Sequence, residues 1–144
     1  ALRLDPRYAP AWNGKAGILC QLERFEEALQ AYEQALRLNP NAPQAWNGKG
    51  NAHYRLGDYE QALVAYERAW HLNPKMASTL HNMSLVLKQL RRYPEALDAA
   101  ESALRLAPND PDNWQRKAEA LKKLRRTKEA RAAEAEVARW SNQA

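Results

Sequence analysis

Residues 11–20 read AWNGKAGILC, and the tetrapeptide Trp-Asn-Gly-Lys at 12–15 returns at 46–49. Two readings compete for it. A Gly-Lys pair can close a phosphate-binding loop, but such a loop needs a Gly five residues earlier and a Ser or Thr after the Lys. Ala9 and Pro43 stand at the first of these places, and Ala16 and Gly50 at the second, so both copies fail twice. The other reading is one structural unit used repeatedly, and a step of 34 residues supports it. Trp12, Trp46, Leu80 and Trp114 are evenly spaced by that step, as are Ala28, Ala62, Ala96 and Ala130. Pro6, Pro40, Pro74 and Pro108 close the hexapeptides ALRLDP, ALRLNP, AWHLNP and ALRLAP at the same interval. The unit is a repeat.

At 144 residues the chain has the length of one ordinary domain, yet a fixed period makes the repeat the better unit of account. Its 45% hydrophobic and 27% charged residues suit a folded protein rather than a disordered one. The lone Cys20 excludes an internal disulfide framework and suits a reducing compartment, so a cytoplasmic location is expected. No apolar run approaches the roughly 18 residues a membrane span needs, and no membrane partner is expected. The opening ALRLDP matches the last six residues of a repeat, and no initiator Met precedes it. The expectation is therefore a piece of a longer protein, with residues 1–8 the remnant of a preceding repeat.

Within each repeat the apolar spacing is helical, twice. Trp46, Gly50 and His53–Tyr54 recur at i, i+4 and i+7/i+8, one face of a first helix. LGDYEQ then reads as a turn, with Gly57 suited to a helix C-terminus and Asp58 to the next N-cap. Ala62, Leu63, Tyr66, Ala69 and Trp70 trace the inner stripe of a second helix, which stops at Asn73-Pro74 because proline lacks the amide hydrogen and clashes with the preceding turn. Small residues at Ala16, Gly50 and Ala118 let the two helices of a hairpin approach closely. A single hairpin cannot bury its apolar face, whereas stacked neighbours share a core.

With Trp, Gly or Ala, aromatic or Leu, Ala, aromatic, Ala and Pro at set places in a 34-residue period, the chain resembles the tetratricopeptide repeat family. The resemblance covers residues 9–142 and is best in the second repeat, through Trp46, Gly50, Tyr59, Ala62, Tyr66, Ala69 and Pro74. It implies an all-α, right-handed α-solenoid of four 34-residue helix-turn-helix repeats at 9–42, 43–76, 77–110 and 111–144, forming a single array with the first helices lining a groove. Departures are informative. Lys15, Lys49 and Lys117 replace an apolar residue and are expected to lay their stems along the core edge. Ala100 and Glu134 replace the aromatic of the second helix, and Asn142 stands where Pro belongs. A charge on the face that would meet a fifth repeat predicts a cap-like last repeat, with Trp140 folding over the exposed core.

Catalytic patterns are missing from the sequence. HExxH, CxxC and nucleophile-elbow motifs do not occur, and Cys20 has no His placed to activate it. His53 reads as a satisfied core histidine, and no metal or other cofactor is expected. The net charge of +5 is uneven, with +4 in residues 111–144. The basic run KKLRR at 122–126 falls at the end of a first helix, where cations complement exposed carbonyls, and Lys88, Arg91 and Arg92 hold the same phase one repeat earlier. No aromatics interleave with these cations as a base-stacking platform, so nucleic acid is not the expected partner.

The groove is the richer candidate. If Trp46, Gly50 and His53 point inward, then Asn47, Gly48, Asn51, Tyr54 and Arg55 face the groove or its rim. By register, Asn13 joins them from the first repeat, His81, Asn82, Leu85 and Lys88 from the third, and Gln115, Arg116 and Lys122 from the fourth. A side-chain amide both donates and accepts, so it can hold an extended peptide backbone without demanding one side chain. Some tetratricopeptide proteins clamp a terminal carboxylate with Lys and Asn on one first helix, Asn on the next, and Lys and Arg on the third. By that resemblance this chain keeps Asn51, Asn82 and Arg116 but has Asn47 and Asp112 where the lysines belong. The expected ligand is therefore an internal, extended, mildly acidic segment or a helix of a partner protein, bound without chemistry. Two other readings stay open: a scaffold spacer that self-associates through its ends, and a regulatory arm of an enzyme such as a kinase or transferase.

Overall fold

In the computed structural model the described residues are 7–143, and every regular element among them is an α-helix. The hexapeptide at 1–6, read above as a remnant, lies outside them. The chain divides between Pro74 and Lys75 into two compact units. The first holds α1 (Ala9–Gln21), α2 (Phe25–Leu38), α3 (Pro43–Arg55) and α4 (Tyr59–Leu72). The second holds α5 (Ala77–Gln89), α6 (Tyr93–Leu106), α7 (Pro111–Lys123) and α8 (Thr127–Ser141). Helix pairs thus begin at 9, 43, 77 and 111, and α2, α4 and α6 each stop two residues before a proline.

The turn inside each pair has one shape. At α3–α4 the Asp58 amide donates to the His53 carbonyl at 2.9 Å and the Gly57 amide to Tyr54 at 3.0 Å, the paired bonds that close a helix on a left-handed residue. Gly57 takes φ +82°, and Glu23, Arg91 and Arg125 occupy the same place in the other turns at φ 59°, 58° and 60°. Only glycine adopts that region without steric cost. Replacing Arg91 by glycine is therefore expected to raise stability by about 0.5–1 kcal/mol, read as a higher urea midpoint. An unchanged or lower midpoint would show that the left-handed arginine carries no strain.

Asp58 does occupy the N-cap position, but its side chain makes no capping bond and lies 3.5 Å from His53 Nδ1 instead. The other turns replace Asp58 by arginine. Arg24, Arg92 and Arg126 each grip a first-turn carboxylate, Glu27, Glu95 and Glu129, with two hydrogen bonds. These pairs are exposed, so solvent screening leaves each with only a small contribution to stability.

In the first unit the core runs from Ala16 and Leu19 through Ala28, Tyr32 and Leu36 to Ala45, with Trp12 and Trp46 packed at its edge. The Trp-Asn-Gly-Lys segment resolves here. The Trp46 indole donates to the Pro40 carbonyl at 2.8 Å, pinning the linker from the preceding pair, and Lys49 lies over the Trp46 ring at 5.3 Å. Lys15 covers Trp12 at 5.2 Å in the same way. In the second unit Trp114 and Pro108 repeat the indole bond, also at 2.8 Å, and Lys117 covers Trp114 at 5.3 Å. The lysines do lie along the core edge, and their ammonium groups add a cation–π contact.

Glycine 48 corrects the groove reading. It is buried, and a Cβ there would collide with the ring and hydroxyl of Tyr32 on α2. At Gly50 a Cβ would stand 2.5 Å from the Tyr66 ring on α4. Each glycine costs its helix about 1 kcal/mol relative to alanine, and in return a tyrosine ring packs on bare backbone. Gly50 seats the partner helix of its own pair, whereas Gly48 seats the helix of the pair before.

In the first pair Leu19 is only 7% exposed, and the exposed large apolar side chains are Tyr8, Ile18 and Leu22, at 57%, 59% and 59%. Glu134 pairs with Lys122 across the α7–α8 hairpin. Trp140 packs along α8 itself, donating to Glu136 at 2.9 Å beneath Arg139.

Candidate peptide-binding surfaces

In the first unit α1 and α3 lie side by side, joined at their C-terminal ends by Arg55 and Glu23 at 3.4 Å. Asn13 and Asn47 are half-buried and Asn51 is exposed. Asn51 already accepts the Tyr66 hydroxyl through Oδ1 at 2.6 Å, so its carbonyl serves the hairpin. Tyr54 leans on Tyr59 with ring centres 5.4 Å apart, and the Arg55 guanidinium rests 5.0 Å above the Phe25 ring. Cys20 is half-buried; burial raises its thiol pKa against the opposing pull of the Tyr32 hydroxyl, which donates to the sulfur. The thiol stays protonated, the wrong state for a nucleophile. His53 sits at the core's edge beside Asp58 rather than satisfied inside the core.

In the second unit α5 and α7 are neighbours, and Glu119 ties them together. Lys88 Nζ donates to one of its carboxylate oxygens at 2.9 Å, and Gln115 donates to the other at 3.2 Å. Burial pushes the Glu119 pKa up, but those hydrogen bonds and the charges of Lys88 and Arg116 outweigh it and hold the carboxyl below its ordinary value. Arg116 Nη1 donates to Asn113 Oδ1 at 2.8 Å. His81 is half-buried; burial, then the Arg116 charge, lower its pKa against Asp112 and Asp110, leaving it neutral near pH 7. Lys122 turns toward Glu134 on α8. Asn82 and Leu85 are half-buried on α5.

The structure therefore gathers Lys88, Gln115 and Arg116 around Glu119 and Asn113, with His81 within the influence of the Arg116 charge and Lys122 both beside Glu119 and paired to Glu134. Asn113 was missed because a polar residue in a first helix reads as solvated; it is 5% exposed and also reaches the Ala103 carbonyl at 3.5 Å. Charge separates the units further. Residues 1–74 carry eight cations against eight anions, while residues 75–144 carry fourteen against nine, so the whole +5 lies in the second unit. Among the described residues no three His, Cys, Asp or Glu side chains cluster as a metal site, and no helix is long and apolar enough to cross a membrane.

Paired helices in 34-residue register, with an indole pinning two of the three linkers and small residues beneath the rings, define an all-α solenoid of helix-turn-helix repeats. The chain belongs to the tetratricopeptide repeat family, whose models match residues 1–37, 19–77 and 77–110. Among solved structures it is similar to MamA, with a TM-score of 0.92 at 17% identity over 96% of this chain and 81% of that one. It is also similar to YrrB, described as a TPR protein with an unusual peptide-binding site, at 0.86 and 24% over 94% and 70%. A MamA RS-1 ArsTM double mutant gives 0.87 and 20% over 99% and 79%. At these identities the likeness is one of fold. No curated protein matches the chain.

Proposed function

We propose that this interaction module holds an extended, mildly acidic segment of a partner protein against α5 and α7, and performs no chemistry of its own. The observation that carries the reading is the cationic surface around Glu119, where Lys88 and Arg116 sit in the unit that holds the entire net charge. Asn82 holds backbone in this reading, and Arg116 pairs with an acidic side chain. In the first unit Asn13, Asn47, Asn51, Tyr54 and Arg55 are the corresponding backbone and rim contacts. Residues 9–42, 43–76, 77–110 and 111–144 are the four repeats, and the setting is the cytoplasm. The peptide-binding site named for YrrB supports this use of the fold.

A few hydrogen bonds of about 1 kcal/mol each with modest apolar contact give about 8 kcal/mol, a micromolar dissociation constant. Calorimetric titration with a blocked acidic octapeptide tests the reading. Micromolar binding that weakens as salt screens the charges is expected; equal binding of a neutral octapeptide would remove the electrostatic basis.

A second reading has its own observation. Tyr8, Ile18 and Leu22 form an exposed apolar face on the first pair. Ile18 and Gly14 are the register counterparts of Ala52 and Gly48, both buried in α3, Gly48 beneath the Tyr32 ring of α2. Such a face favours association of two copies. Light scattering should then rise above the 16.4 kDa monomer with concentration. A constant monomer mass would dismiss it.

A further inference from the structure

A cavity of about 160 Å³ opens in the second unit between the C-terminal halves of α5 and α7 and the start of α6. Ser84, Leu85, Tyr93, Ala96 and Ala120 make its walls, and Lys88, Arg116 and Lys123 stand among its rim groups. Two of its rim groups, Lys88 and Arg116, hold the register positions that a tyrosine ring touches in the first unit. Two periods earlier, at the place of Ala100, α2 carries Tyr32. That ring packs on Gly48, the counterpart of Arg116, and its hydroxyl reaches Cys20, the counterpart of Lys88. In the first unit one tyrosine thus crosses from α2 between α1 and α3. In the second unit Ala100 is 1% exposed and too short to cross, and Arg116 turns away to Asn113.

We propose that this cavity takes one aromatic side chain of an acidic partner segment, its ring standing in the second unit where Tyr32 stands in the first. The inference rests on the peptide reading above and adds a specific anchor to it. Size supports a ring: an apolar cavity of about 150 Å³ is known to hold benzene. Charge supports acidic neighbours, because four cations and one carboxylate border the cavity; Lys122 is engaged with Glu134, and Glu119 is already held by Lys88 and Gln115. Lys123 lies 6.0 Å over the Tyr93 ring, placing a cation beside aromatic surface at the entrance.

Two blocked peptides test it, one with a single Phe between pairs of Glu and one with Ala in place of Phe, titrated calorimetrically into the full chain. Wild type should bind the Phe peptide at least tenfold more tightly. The double variant Ala100→Tyr with Arg116→Gly rebuilds the Tyr32–Gly48 pair and should bring the ratio of the two affinities to near one. A ratio is used because loss of Arg116 weakens both peptides alike. If that variant does not fold, Leu85→Ala, which removes one wall and keeps a helix former, should lower the ratio at least threefold. Equal affinity of wild type for both peptides would overturn the pocket and leave the acidic-peptide reading standing. Failure of both peptides to bind would overturn the two together.

Discussion

Truncating Tyr66 to alanine is expected to destabilise the protein by about 4 kcal/mol, since large aromatic-to-alanine changes in cores cost about 3–5 kcal/mol. Tyr66 is 1% exposed and heads the fully buried side chains by size. Its ring lies on the bare backbone of Gly50, so no neighbouring Cβ is in place to fill the space left behind. Its hydroxyl donates to Asn51 at 2.6 Å, and burial, with Tyr54 nearby, keeps the phenol protonated far above its ordinary range. The two parts of the side chain separate cleanly. Tyr66→Phe keeps the ring and loses one hydrogen bond whose acceptor is exposed to water, at a cost of about 1 kcal/mol. A loss of about 4 kcal/mol is most of the stability of many domains, so Tyr66→Ala should populate unfolded first-unit helices in dilute urea. Circular dichroism across a urea series reads both variants. A Tyr66→Ala cost below 1 kcal/mol would mean that the ring on Gly50 is not the keystone of that hairpin.

The fold was legible because its determinants are periodic. The proline stops, the Ala28 series and the Trp12 series recur at one interval, and α1, α3, α5 and α7 begin where that interval places them. What one position does inside the period was harder to see. Gly48 reads as a groove residue from helical phase alone, because phase tells which way a side chain points and says nothing of what approaches from the next pair. Asp58 is an ordinary N-cap by residue type, yet its carboxylate makes no cap bond and lies 3.5 Å from the His53 imidazole. The candidate site was legible in part. Lys88, Gln115 and Arg116 do meet, but the group that joins them is Glu119, and a bond between positions 31 residues apart leaves no local signal. Lys122, assigned to the groove by the same phase argument, borders the cavity between α5 and α7 and also pairs with Glu134, twelve residues on across a turn. Ala100 stands out in the sequence as a lost aromatic. That the cavity bordered by Lys88 and Arg116 corresponds to the place of Tyr32 follows only once that ring is seen crossing between two helices in the other unit.

The second large effect expected is on binding. Asn82→Ala together with Arg116→Ala should weaken the acidic peptide at least tenfold. One neutral and one charge-assisted hydrogen bond together amount to about 3 kcal/mol, which is roughly a hundredfold when neither is replaced by water. Asn82 lies half-buried on α5 and Arg116 half-buried on α7, the two neighbouring first helices of the second unit. Removing Arg116 also frees Asn113, a buried amide, so some stability is lost with it and helical content must be checked first. Asp112, one turn before Arg116, limits how much negative charge the surface tolerates and argues against a strong preference for a free C-terminal carboxylate.

Whether α5 and α7 hold the partner is decided by one titration. The acidic octapeptide is measured against wild type and against the Asn82→Ala, Arg116→Ala double variant at physiological salt, with matched circular dichroism. Micromolar binding to wild type and at least a tenfold loss in the variant at unchanged helical content are expected. Undiminished affinity in a fully helical double variant would contradict binding at α5 and α7 and place the partner elsewhere on the protein.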